Sequence, residues 1–241
     1  MSDIEIQRVS DILERTKNQG AEAIFYGLDI GRARDYSALS ILVRYLIQNI
    51  GQIQSRYHCV YLKRYKLHTP YEVVEADAER WWRWADAAGY KRYFTMDMTG
   101  VGAPVLEGIR RRGVRVIGLT ITGGMQETNP VDGQYNIPKE ALVTEFLRTV
   151  QMGRFKGYAK IMPDVWQQFQ KELASFGYKT NKDNSSLQYE SLKSTVHDDL
   201  ITACALPIWY GERIVPYRSP LRALNADVEV YDPFTLESSI V

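Results

Sequence analysis

The chain has 241 residues, 45% hydrophobic and 24% charged, with a formal charge of +1 and a sequence pI of about 7.7. These values exclude low-complexity, collagen-like and strongly basic classes, and the length suffices to bury a core without disulfide or metal staples. Nucleic-acid binding therefore has to come from local basic clusters rather than from whole-molecule charge.

Residues 1–20 contain no long apolar run, so neither a signal peptide nor a membrane span is expected there. Ile4, Val9, Ile12 and Leu13 instead fall on one side of an amphipathic helix. Residues 22–30 and 37–48 read as strands. Residues 52–67 alternate as a third, and the short turns between the three predict an antiparallel meander. A helix is expected over 69–89, with Thr69 as N-cap, Pro70 in the first turn and Gly89 at the close. Its "RWWRW" (80–84) suggests base stacking by composition, yet Trp81, Trp84 and Ala88 share a helical face with Val74 and Ala78, which predicts core packing.

Strand–helix alternation follows: a strand over 90–98 ending near Asp97, a glycine-rich loop and helix closed by Gly113, and a strand over 114–122. A polar loop is expected over 123–136, then a helix over 137–153, an edge strand within 154–162 and a helix from Pro163. Residues 178–195 read as a polar hairpin or loop, and "VHDDLITACALPIWYGER" as an apolar helix opened by acids. Domain expectations are an N-terminal helix (1–20), one α/β domain (21–212) and an extended or partly disordered tail (213–241). The order predicts a mixed β-sheet, part antiparallel meander and part parallel, covered on both faces by helices. Cys59 and Cys204 sit in core-type segments without metal-ligand spacing, and a reducing compartment is the default.

Four acids occupy special places. Asp29 ends the first strand, Asp97 ends a later one, and Asp198 with Asp199 opens the last helix. Strand carboxyl ends and a helix N-terminus packed beside them can share a crevice, where clustered carboxylates repel unless divalent cations sit among them. Mg²⁺ or Mn²⁺ takes such hard oxygen ligands, and two ions about 3.5–4 Å apart can activate water and stabilise a leaving oxygen in phosphodiester cleavage. In that reading Asp29 bridges the two ions, Asp97 binds one, and Asp198 or Asp199 the other. Asp35 is either a further ligand or a turn residue capping its own backbone. The competing reading makes the strand-end acids turn formers and the "HDD" an ordinary helix cap. The loop after Asp97 could also cradle phosphate. The pattern GxxxxGK[ST] occurs nowhere, so no ATP site is expected.

Four motifs in order, "GLDIGRARDYSA", "MDMTGVGAPVLEGIRRRG", "LTITGG" and "HDDLITACALPIW", resemble the nuclease domain of the large terminase subunit of tailed bacteriophages over residues 24–209. The resemblance implies a ribonuclease H-like fold and a metal-dependent endonuclease that cuts concatemeric double-stranded DNA during genome packaging, with little sequence specificity. It implies catalytic and metal-binding roles for Asp29, Asp97, Asp198 and Asp199, with Asp35 and His197 as further ligands of two Mg²⁺ or Mn²⁺ ions. Partners would be DNA and a terminase motor, small subunit and portal, with no membrane, in the cytoplasm of a bacterial host. Such terminases carry an ATPase motor ahead of the nuclease. This sequence shows none, which suggests either a shortened chain or a free-standing nuclease gene of phage or prophage origin. Arg32 and Arg34, beside Asp29, and Lys193, before the "HDD", are the expected phosphate contacts. Two alternatives remain open: a ribonuclease H-like nuclease or resolvase acting on branched DNA, and a silent DNA-binding or assembly module.

Overall fold

The computed structural model describes residues 3–32, 35–49, 52–124, 128–131, 133–157, 162–180, 187–191 and 197–215. Helix α1 (Asp3–Asn18) leads into strands β1 (Ala21–Asp29), β2 (Ala38–Asn49) and β3 (Gln52–Arg64), then helix α2 (Tyr71–Ala87), β4 (Arg92–Asp97), α3 (Gly102–Arg111) and β5 (Val116–Thr122). A hairpin β6 (Thr128–Val131) and β7 (Gln134–Pro138) precedes α4 (Lys139–Gln151), β8 (Phe155–Gly157), α5 (Pro163–Ser175), the hairpin β9 (Phe176–Thr180) and β10 (Leu187–Ser191), and α6 (Asp199–Arg213).

Eight strands form one mixed sheet in the order β6-β7-β5-β4-β1-β2-β3-β8, while β9 and β10 pair separately. The β1–β2–β3 meander is antiparallel, and β1–β4–β5–β7 run parallel, with α2 ahead of β4 and α3 as the crossover from β4 to β5. Helices cover both faces, which completes the ribonuclease H-like architecture expected from the motifs. Val9, Ile12 and Leu13 of α1 pack on one face with α2 and α3. The other face carries α4, α5 and α6.

The tryptophan stripe packs as its spacing predicts. Val74, Ala78 and Trp81 are buried, with Trp84 and Ala88 against them. Trp82 is also buried, under the guanidinium of Arg92, whose Cζ lies 4.2 Å from the ring centroid. Two local expectations are corrected. Thr69 is not the N-cap of α2: Pro70 takes that position, and the Thr69 hydroxyl turns back to donate to the Lys66 carbonyl. The loop expected over 123–136 instead contains the β6–β7 hairpin, with Gly133 at φ +73° just before its second strand. Edge strand β8 pairs with β3, and residues 178–195 include the strands of a hairpin. The proposed tail beyond Val215 lies outside the described residues. Cys59 and Cys204 are buried free thiols.

Helix α6 is fastened along its length. Pro207 lacks the N–H that would bond the Ala203 carbonyl one turn earlier. The Ser40 hydroxyl of β2 donates to that carbonyl instead, at 2.6 Å. Gly27 of β1 makes this approach possible, since a Cβ there would stand 1.9 Å from the Ala203 oxygen. At the far end, the buried Arg44 donates to the Gly211 and Val215 carbonyls at 2.7 and 3.2 Å and pairs with Glu22. Ser40→Ala should therefore cost about 1–3 kcal/mol in urea unfolding, the price of a buried carbonyl left without a donor. A cost indistinguishable from zero would show that the proline gap needs no partner.

Candidate active site

Strand parity decides which face the strand-end acids occupy. In β1, Ile24, Tyr26 and Leu28 face α1–α3, while Ala23, Phe25 and Gly27 face α6, so Asp29 falls on the α6 side. In β4, Phe94 and Met96 face α1–α3, and Asp97 again falls on the α6 side. The two strands are parallel neighbours, with Leu28 opposite Met96, so Asp29 and Asp97 end side by side.

The N-terminus of α6 completes the group. A cavity of about 360 Å³ is lined by Asp29, Asp35, Asp97, His197, Asp198 and Asp199, with Arg32 and Lys139 at its walls. All six candidate ligands thus border one space, and Arg32 borders it too. Arg34 and Lys193 lie outside the described residues. The guanidinium of Arg32 lies over Gly100, in the loop after Asp97.

Each acid is held differently. Asp97 accepts a hydrogen bond from the Thr99 backbone N–H at 2.7 Å, an Asx turn, and the Thr99 hydroxyl in turn accepts from Ile121 N–H at 3.0 Å. The turn-forming role weighed against a ligand role is therefore real, and it fixes one carboxylate oxygen while leaving the other. Asp198 occupies the N-cap position of α6 but makes no side-chain cap bond. Glu172 of α5 supplies the cap: its Oε2 accepts from Leu200 and Ile201 N–H at 3.1 and 3.3 Å. Asp198 instead meets Lys139 Nζ at 3.3 Å. The buried Asp199 meets Arg64 Nε at 2.9 Å, and Arg64 also pairs with Glu172. His197 stands edge-on to the Tyr36 ring, 5.0 Å between centroids.

Burial pushes the Asp29 carboxyl well above the usual carboxylate range, and the negative charges of Asp97, Asp199, Asp198 and Asp35 push it further. Burial also raises Asp97, opposed by the Thr99 hydrogen bonds and Lys139. Asp199 is raised by burial and drawn back by Arg64. Such a crowd of hard oxygen donors suits Mg²⁺ or Mn²⁺. Among the described residues no group of three or more acidic, histidine or cysteine side chains stands close enough together to hold a metal ion as the side chains are placed.

Sequence reasoning assigned no role to Lys139, Glu172, Tyr36 or Arg64. No local pattern marks them, because each acts across a tertiary contact. Two of the arginines at the end of α3 are paired locally: Arg110 with Glu107, and Arg112 with Glu75 and Glu79.

No protein-family model and no curated protein sequence matches the chain. Among solved structures, the terminase nuclease domain of human cytomegalovirus, soaked with Mn and inhibitor-bound, matches at TM-score 0.50 and 12% identity, covering 89% of this chain and 96% of that one. The chain has the ribonuclease H-like fold of a terminase nuclease domain. The nuclease domain of the bacteriophage SPP1 large terminase, with bound Mn, follows at TM-score 0.48 and 13% identity, covering 88% and 92%. RuvC from Thermus thermophilus gives 0.34 and 11%, covering 80% and 97%. The four motifs that carried the sequence resemblance fall on β1, β4, β5 and α6 of this ribonuclease H-like fold, and three of them bring acids to the cavity.

Proposed function

We propose that the chain is a metal-dependent endonuclease of the terminase type, hydrolysing double-stranded DNA with little sequence preference. One observation carries this reading. Asp29, Asp97, Asp198 and Asp199 border one cavity, while the capping of α6 is done by Glu172, so the acids are not consumed as helix caps. A purely structural "HDD" would have capped its own helix.

In this reading Asp29, Asp97 and Asp198 or Asp199 hold two Mg²⁺ or Mn²⁺ ions, with Asp35 and His197 at the margin. The bound ions supply an activated water and charge neutralisation at the leaving oxygen. Thr99 fixes the orientation of Asp97, and Arg64 with Glu172 fixes Asp199, so the donors are preorganised by the chain itself. Lys139, which pairs with Asp198 at the cavity wall, is placed to meet a phosphate oxygen of the substrate. Arg32 stands at the mouth, and Arg34 and Lys193 are proposed as further phosphate contacts. Packaging with a motor, small subunit and portal, in a bacterial host cytoplasm, is the setting the motif resemblance suggests. Among the described residues no helix is long and apolar enough to cross a membrane.

Cleavage of supercoiled plasmid in EDTA, Mg²⁺ or Mn²⁺ tests the proposal. Cutting should require the metal and fall by roughly a hundredfold in Asp97→Asn, the scale of losing one preorganised electrostatic group. Folded wild-type protein that never cuts, at any metal concentration, would refute the nuclease reading.

A further inference from the structure

A larger groove adjoins the acid cavity. It has a volume of about 620 Å³ and lies between the end of β3, the first turns of α5 and α1. Tyr36 borders both spaces, and Arg64, which holds Asp199, borders the groove as well. Among the described residues its lining includes four cations, Arg8, Lys63, Arg64 and Lys66, against a single acid, Asp164.

The cations divide by what they already do. Lys63 is bound to Asp77 at 2.6 Å, and Arg64 to Glu172 and Asp199. Arg8 and Lys66 are exposed and form no ion pair among the described residues. Lys66 is set by its backbone: its carbonyl accepts from both the Thr69 N–H, at 3.1 Å, and the Thr69 hydroxyl, at 2.7 Å. The same turn holds His68 at φ +63°, a left-handed conformation uncommon outside glycine. The groove is not a stacking platform, because Tyr61 and Tyr65 on its floor are 6% and 3% exposed. Free cations over buried aromatic rings can recognise charge without reading bases.

We infer that this groove carries the phosphates of the DNA strand leading away from the cut, with Arg8 and Lys66 as its outer contacts. The inference rests on the nuclease reading, and gives that site a direction for its substrate: past Tyr36, over Arg64, towards α1.

The test is fluorescence anisotropy of a short labelled duplex in EDTA, over a salt series, with plasmid cleavage in Mn²⁺ run in parallel. Arg8→Ala/Lys66→Ala should lower the slope of log K against log salt by about 2, because each phosphate contact contributes roughly 0.9. Arg115→Ala, at the opposite ends of the parallel strands, should keep the wild-type slope. Matching melting temperatures would confirm that the exposed substitutions leave folding intact. An unchanged slope in the double variant, with wild-type cleavage, would overturn the groove and leave the nuclease standing, returning the two cations to solvent or to an acidic protein partner. A reduced slope without cleavage by any sample would support the groove and count against the catalytic reading. Wild type that neither binds nor cuts would remove both.

Discussion

Asp29→Asn should abolish metal-dependent cleavage, by at least about a thousandfold, while making the metal-free protein more stable at neutral pH. Both effects follow from its position. Asp29 is pushed up by burial first and then by four surrounding carboxylates, so its charge is costly until cations neutralise it. Asparagine keeps the shape and removes the charge.

The pH dependence has a definite sign. Between the unfolded carboxyl value, about 3.9, and the raised folded value, the native state binds more protons than the unfolded one. Stability from this group is complete below about pH 4 and is lost as pH rises through the folded value. The variant lacks that loss, so its advantage should open as pH climbs above about 4 and vanish below it. Urea midpoints in EDTA across this range measure the difference. Parallel curves for the two proteins would show that Asp29 is not repelled as described. Adding Mn²⁺ should reverse the order, because a ligand at 100 times its Kd stabilises by about 2.7 kcal/mol and only wild type retains the full site.

The second large effect belongs to a residue outside the motifs. Glu172→Ala should destabilise the protein by roughly 3–5 kcal/mol, the range for breaking one side of a buried ion pair. The residue is 3% exposed, and one of its carboxylate oxygens accepts both N–H groups at the start of α6 while the other meets Arg64. Glu172→Gln keeps an acceptor for the helix but no charge for Arg64, so it should cost less, about 1–3 kcal/mol. Equal losses for the two variants would mean that the cap contributes nothing. At temperatures where Glu172→Gln remains folded, cleavage should still fall, because Arg64 then lacks the partner that steadies its grip on Asp199.

Legibility followed the range of the interactions. Asp29 and Asp97 could be placed at strand ends from alternation alone, and parity then sets the face they share. Trp81 and Trp84 could be assigned to the core because helical spacing is a local property. The β6–β7 hairpin was missed although an Asp-Gly pair stands in that stretch of the sequence, because Asn, Pro and Gln obscured the strands around it. Glu172 and Lys139 gave no signal: their meaning lies in which distant element they touch. Thr69 failed as a cap for the opposite reason, since a nearer carbonyl captured its hydroxyl.

The Pro207 gap bears on how the acids could be moved to another scaffold. A regular helix can shift along a sheet by one residue, advancing 1.5 Å and turning 100°, with small changes in packing. Helix α6 has one carbonyl without a helical partner, and β2 has one serine placed to meet it, so the pair acts as an index mark that admits a single setting. Copying the "HDD" onto a helix without that mark would reproduce the ligands but leave their alignment with β1 undetermined. The transferable unit is the acids together with Gly27, Ser40 and Pro207.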